Sequence, residues 1–199
     1  MKKSGTFLTI LCMLVVMLTP AKGLSQNFAL KSNLLDDGLA NINLGAEVKL
    51  APKWSMDLSG SFNAWDKSYG DGIWKHWTVM PEARYWLCDV FDGHFFGVHA
   101  FGGQYNVGNI SGLGNFLGTD FSKLDHSRFQ GWQVGAGIAY GYSWILSRNW
   151  NFEAEIGLGV AYTHYDEFPC ASCGNKKAED KPHTYVGPTK AALSLIYVF

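Results

Sequence analysis

The chain has 199 residues with 16 basic against 17 acidic side chains, 15% aromatic residues, eight tryptophans and 23 glycines. That is the length of one domain. It has no basic stripe of the kind that binds nucleic acid, and beyond the N-terminal region no run approaches the ~18 apolar residues of a transmembrane helix. No low-complexity tract accounts for the aromatics or the glycines, so both call for a structural reason.

Lys2 and Lys3, the apolar run FLTILCMLVVML and the small-residue stretch TPAKG predict a signal peptide over residues 1–23, cleaved near Gly23 to Ser25. Leu11 precedes Cys12 inside the apolar run, which argues against lipoprotein processing. Loss of Lys2, Lys3 and Lys22 leaves 13 basic residues against 17 acidic, a charge of about −4 for a single domain over 24–199.

From there the pattern has period two, the mark of strands with unlike faces. Eight strands are predicted: Asn27 to Leu34, Ile42 to Leu50, Trp54 to Asn63, Lys75 to Leu87, Phe95 to Tyr105, Phe129 to Tyr142, Trp150 to Tyr165 and Val186 to Phe199. In INLGAEVKL, Ile42, Leu44, Ala46, Val48 and Leu50 oppose Asn43, Gly45, Glu47 and Lys49. The third, sixth and seventh strands alternate as cleanly, whereas HFFGVHAFGGQYN is ambiguous in register.

Connections alternate in length. Ala51 to Lys53, Cys88 to His94 and Ser143 to Asn149 are short; Ala64 to Trp74, Val107 to Arg128 and Asp166 to Tyr185 are long; Asp36 to Asn41 is brief. Short turns at one rim and long loops at the other describe an up-and-down transmembrane barrel of the outer membrane. A secreted lipocalin-like carrier would also alternate, but its polar face would meet water and carry Lys, Thr and Glu. Here that face holds Gly45, Gly135, Gly137, Gly141, Gly157 and Gly159, which suit a narrow interior. Trp54, Trp77, Tyr85, Tyr142, Trp144, Trp150, Tyr162 and Tyr197 lie near strand ends, where membrane-interface girdles sit. Lys31, Glu47, Asp57, Glu82, Arg84, Glu153 and Glu155 fall in the half of each strand nearest the short turns, so they are expected to converge in a lumenal charge layer, with Lys49 offsetting part of its negative charge. Pro81 marks an irregularity in its strand, because it donates no ladder bond.

The stretches FALKSNLLDDGLANINLGAEVKLAPKWSMDLSGSFNAWD and HWTVMPEARYWLCDVFDGHFFGVHAFGGQYNVG resemble a family of uncharacterised Bacteroidota outer-membrane proteins, domain-of-unknown-function family 3575. The likeness rests on Lys31 to Leu35, on Pro81 to Trp86 and on Gly93 to Gly97. The resemblance implies an outer-membrane barrel, in some genomes encoded near fimbrial or adhesin genes, and brings no activity, substrate or catalytic residue. The loop bearing Cys170 and Cys173 departs from it.

Cys170 and Cys173 form a lone C-x-x-C in the last long loop. A local disulfide is the chosen reading, with free thiols or a metal or redox role as alternatives. Cys88 reads as an isolated buried thiol. The six histidines show no metal-ligand spacing, and no Ser and His are seen together near the outer rim on one face, so neither catalytic residue nor cofactor is expected. The glycine-rich GNISGLGNFLG precedes no helix and reads as a loop rather than a phosphate cradle. The loops Asp66 to Ile73, Asn109 to Asp125 and Glu167 to Thr184 are the expected contact surfaces for an extracellular protein or glycan.

The expectation is thus an eight-stranded outer-membrane β-barrel, not an enzyme, with a structural or surface-interaction role and a plugged lumen. Its partners would be the lipid bilayer and the barrel insertion machinery. Tyr197 and Phe199 read as the assembly signal. A lipid-modifying enzyme and a secreted carrier are the rival readings.

Overall fold

Strand pairing closes into a ring. The computed structural model describes residues 27–65, 72–110, 115–116, 119–120, 124–125, 127–170 and 174–199, so the expected signal peptide lies outside it. The eight barrel strands are β1 (Phe28–Asn33), β2 (Ile42–Ala51), β3 (Trp54–Asn63), β4 (Ile73–Trp86), β5 (Gly93–Gly108), β6 (Arg128–Ile145), β7 (Trp150–Phe168) and β8 (Ala178–Val198). Each pairs antiparallel with its sequence neighbours, and β1 pairs with β8 from Ala29↔Val198 to Asn33↔Ser194. The fold is therefore all-β, an up-and-down closed barrel. Asn115–Phe116 and Thr119–Asp120 form a separate small hairpin between β5 and β6.

One helical turn, α1 (Leu34–Gly38), stands in the brief connection between β1 and β2. The Asn33 side chain caps it by accepting from the Leu35 backbone N–H. At this point β1 ends, while β8 continues with no strand paired on that side among the described residues. Asn33 covers the break by donating to the Ala191 carbonyl at 3.4 Å and accepting from the Leu193 N–H at 3.1 Å.

The structure corrects several expectations. The long connections are shorter than predicted, because β7 runs on to Phe168 and β8 begins at Ala178. Half of Glu167 to Thr184 belongs to the two strands of a projecting hairpin rather than to a loop. The ambiguous fifth strand points Phe95, Gly97, His99 and Phe101 inward and exposes Phe96 and Val98. At Pro81 the pairing of β4 with β5 lapses between Val79↔Gly102 and Glu82↔His99 and resumes in the same register, so the missing N–H interrupts the ladder without a bulge. A register shift does occur in β8, between Pro188 and Lys190. Cys88 is a free and exposed thiol, because the short turn carries it away from the wall.

The polar face lines the lumen and the apolar face is outside. Leu44, Leu50, Leu58, Val98, Ile138, Ile156, Leu158 and Val186 are each more than half exposed, whereas Glu47, Asp57, Glu82, Arg84 and Glu153 are at most 1% exposed. This is the reverse of a water-soluble barrel that hides its apolar side chains.

Candidate functional site

Inward side chains form three levels from the short-turn rim upward. The lowest is an apolar floor of Ala29, Trp86, Val90, Phe91, Phe95, Ile196 and Val198. Trp86 lies against Phe95 at 4.6 Å between ring centroids and meets Phe91 edge-on at 6.2 Å. Phe91 comes from the turn between β4 and β5 and has a φ of 73°, a left-handed conformation rarely adopted by a bulky side chain. Asn151 Nδ2 at 2.7 Å and Ser143 Oγ at 3.2 Å both donate to its carbonyl, which ties the turn inward under the barrel.

Above the floor is the charge layer. The Arg84 guanidinium carbon stands over the Phe95 ring, 4.4 Å from its centroid, and the group reaches four carboxylates: Glu82 at 2.5 Å, Glu155 at 2.7 Å, Glu47 at 2.9 Å and Glu153 at 3.1 Å. Its planar guanidinium has five N–H donors in fixed directions, which allows one cation to serve them all. Lys31 pairs with Glu47 at 2.7 Å and stands 3.2 Å from Asp57 and 3.7 Å from Glu153. Trp86 Nε1 donates to Ser55 Oγ at 2.8 Å, and Ser55 donates to Glu47, which links floor and layer.

The structure therefore brings Lys31, Glu47, Asp57, Glu82, Arg84, Glu153 and Glu155 together. It leaves out Lys49, which is half-buried, shares the inward parity and makes no ion pair among the described residues. It adds Lys190, whose amine bridges Glu82 at 2.7 Å and Glu155 at 2.9 Å. It also adds His99, which bonds Thr189 at 2.9 Å and stands 3.6 Å from Glu82.

The glycines give these side chains their room. A Cβ at Gly45 would stand 2.5 Å from Lys31 Cγ, one at Gly97 would stand 2.7 Å from Glu82 Cδ, and one at Gly141 would overlap the Phe95 ring. At Gly157 it would meet both His99 and Lys190 at about 3 Å. The glycine row on the polar face is the negative of the side chains opposite it.

The third level is a cavity of about 270 Å³, lined by Asp57, Ser59, Ser61, Thr78, Gln133 and Lys190, among others. It also holds a correction: Ser61 Oγ lies 3.3 Å from His76 Nε2, a Ser and His pair on adjacent strands near the long-connection side. The absence expected from the sequence fails here, because the register Ser61↔Thr78 sets Ser61 diagonal to His76.

Beyond the cavity the β7–β8 hairpin projects. His164 stacks on Trp132, with ring centroids 5.3 Å apart, and pairs with Asp180 at 2.6 Å. Asp166 sits below the usual carboxylate range because the Asp180 backbone N–H and the Lys176 amine both donate to it. Cys170 at the hairpin end is disulfide-bonded, and Cys173 lies outside the described residues. The expected contact segment Asp66 to Ile73 is outside them up to residue 71, and so is most of Asn109 to Asp125.

Tyr197 packs edge-on against Trp150 at 5.1 Å and against Phe199 at 4.9 Å, and the Phe199 N–H donates to the Phe28 carbonyl at 3.0 Å. Comparison with known proteins matches residues 8–199 to the family described as protein of unknown function DUF3575. The chain belongs to this family. No curated protein and no solved structure matches it. The family's description carries no activity, so the lumen and the outer face of this DUF3575 barrel carry the functional argument.

Proposed function

We propose that this protein is a small β-barrel of the cell outer membrane, non-enzymatic, with a closed lumen and a structural or surface-interaction role. The observation that carries this reading is the outer face, where aliphatic side chains fill a band between two sets of aromatics. Trp54, Tyr85, Tyr142, Trp144, Trp150 and Tyr197 stand toward the short-turn rim; Trp77, Trp132 and Tyr162 stand toward the other. Ten residues separate Trp132 from Tyr142 on β6. At about 3.3 Å per residue and a tilt of about 40°, that places the girdles about 25 Å apart, the height of the apolar band on outer-membrane barrels. A water-exposed surface of this kind would be an aggregation liability.

The floor and charge layer close the bore, so the barrel is not a diffusion pore, and the projecting hairpin and long connections are left for contacts with an extracellular protein or glycan. Membrane fractionation with a heat-modifiability gel tests the location. A folded band that migrates differently before and after boiling, in the outer-membrane fraction, is the expected result; soluble protein in the periplasm would overturn the reading. Deleting Phe199 should lower outer-membrane levels while secretion continues, if Tyr197 and Phe199 address the insertion machinery. Planar-bilayer recordings should show no steady conductance.

The Ser61–His76 pair favours a second reading, a lipid-modifying enzyme on the same scaffold. A nucleophile needs its base oriented by a third group, and among the described residues His76 Nδ1 makes no hydrogen bond. Lipid turnover abolished by Ser61→Ala would establish the enzyme; turnover indifferent to that change would retire it.

A further inference from the structure

Above the charge layer the lumen wall carries a row of uncharged polar groups. Strand register sets Ser61 beside Thr78, Thr78 beside Gly103, Gly103 beside Gln133 and Gln133 beside Thr163, so one hydrogen-bonded row crosses β3 to β7. Three strand spacings of about 4.8 Å separate Ser61 from Gln133, a span of about 14 Å. Gly103 brings no side chain, which leaves the row open in its middle. Thr78 and Gln133 both line the cavity and are half-buried, and among the described residues neither side chain makes a hydrogen bond. The Gln133 amide holds two N–H donors and a carbonyl acceptor, and the Thr78 hydroxyl both donates and accepts.

The charges below decide what this row can hold. Lys31, Arg84 and Lys190 on the cavity wall repel a cation, and each is held by carboxylates. In the layer itself Glu47, Asp57, Glu82, Glu153 and Glu155 outnumber those cations, which repels an anion as well. A charge moved from water into the lumen finds no free partner there and is costly. We infer that the cavity is a binding site for an uncharged polyhydroxyl ring, that is a neutral sugar, whose hydroxyls exchange hydrogen bonds with Thr78, Gln133, Ser59 and Ser61. The contacts of Ser59 Oγ with the Met80 carbonyl and of Ser61 Oγ with His76, both 3.3 Å, are long for hydroxyl hydrogen bonds and can give way to it. Met80, on the same wall, offers apolar area to the C–H face of a ring. A cavity of about 270 Å³ holds roughly nine waters at about 30 Å³ each, which is room for one sugar ring. It also reaches Asn33 and Ala191, beside the end of the β1–β8 ladder, so a free sugar and a sugar carried on a lipid tail share this chemistry. The site rests on the closed ring and not on where the barrel resides.

The test is an NMR titration of the chain folded in dodecylphosphocholine, a detergent without sugar, with the methyl glycosides of glucose, galactose and mannose. A saturable shift of the Gln133 side-chain amide is expected with at least one of them, and none with 2-methoxytetrahydropyran, the same ring without its hydroxyls. The carboxylate and ammonium counterparts of the sugar that binds should bind about tenfold more weakly or not at all. Thr78→Val keeps the side-chain shape and Gln133→Leu nearly so, and both leave every charge in place. Each should weaken binding about fivefold, the loss of one neutral hydrogen bond, with an unfolding midpoint close to the parent's. In phospholipid nanodiscs the octyl glycoside of the same sugar assigns the source: tighter binding than the methyl glycoside means a glycolipid headgroup, equal binding a free saccharide. Three results would overturn the proposal: no saturable shift with any of the three sugars, parental affinity in both variants, or a charged counterpart that binds as tightly as the neutral sugar. The first would leave the row to water, and the outer-membrane reading, tested separately by fractionation, would stand.

Discussion

The end of the barrel near the short turns and the end near the long connections share the same strands but are packed on different terms. Near the short turns the inward side chains are closely interlocked: Phe95 fills the space left at Gly141, Glu82 that at Gly97, Lys31 that at Gly45, and Arg84 holds four carboxylates at once. Above Asp57 the side chains shorten to Ser59, Ser61 and Thr78 and leave a cavity, and past it β7 and β8 rise as a hairpin beyond the rim of β2 and β3. Close packing makes the lower part unforgiving of change. The upper part is freer to vary, and it is where the proposed contacts with an extracellular partner would fall.

Arg84→Ala should break this comparison most sharply. It leaves five buried carboxylates with two lysines, and breaking a buried network costs about 3–5 kcal/mol, less if a carboxylate takes up a proton. The unfolding midpoint in detergent or lipid reads the loss; a midpoint equal to the parent's would mean that the layer holds nothing together. Gly141→Leu comes next. Its side chain competes with the Phe95 ring for one volume, and overpacking of this kind costs about 1–3 kcal/mol on the same measurement. A Gly141→Leu variant as stable as the parent would show that the floor can rearrange.

On the solvated side, Lys53→Ala in a short turn and Lys176→Ala on the projecting hairpin should leave the midpoint where it was, because exposed pairs gain little over water. Thiol reagents sharpen the contrast without altering stability. Cys88 should label at once in the folded protein, Cys170 only after reduction. In intact cells an impermeant reagent should spare Cys88 and reach reduced Cys170 if the short turns face the periplasm. The reverse pattern would invert the barrel.

Alternation along β2, β3, β6 and β7 makes the strands, the lumenal face and most of the charge layer legible in the sequence, because a sheet with two unlike faces writes its period into the chain. Lys190 escapes. It lies well up β8, and only strand tilt and a long side chain return it to Glu82 and Glu155, so equal position along two strands is not equal height. Lys49 fails for the converse reason. It shares the parity of Glu47 but stands one step nearer the rim, past the acidic cluster. The facing of β5 is hidden because HFFGVHAF is apolar on both sides, and what decides it is the glycine opposite each inward residue, Gly141 for Phe95 and Gly137 for His99. The tucked Phe91 has no sequence signal at all. A strained turn is settled by the Asn151 and Ser143 donors waiting above it.

The short β1–β8 ladder has a consequence for the order in which the ring is made. Every other junction joins neighbours in sequence, so each hairpin can zip as soon as its second strand emerges. The last junction brings together segments such as Asn33 and Ala191, 158 residues apart, and a loop of that size is the costliest closure in the molecule. It is repaid only from Ala29↔Val198 to Asn33↔Ser194, with the Asn33 amide beyond and the Phe199 N–H at the rim. The entropic cost of making the ring is therefore concentrated at this one ladder.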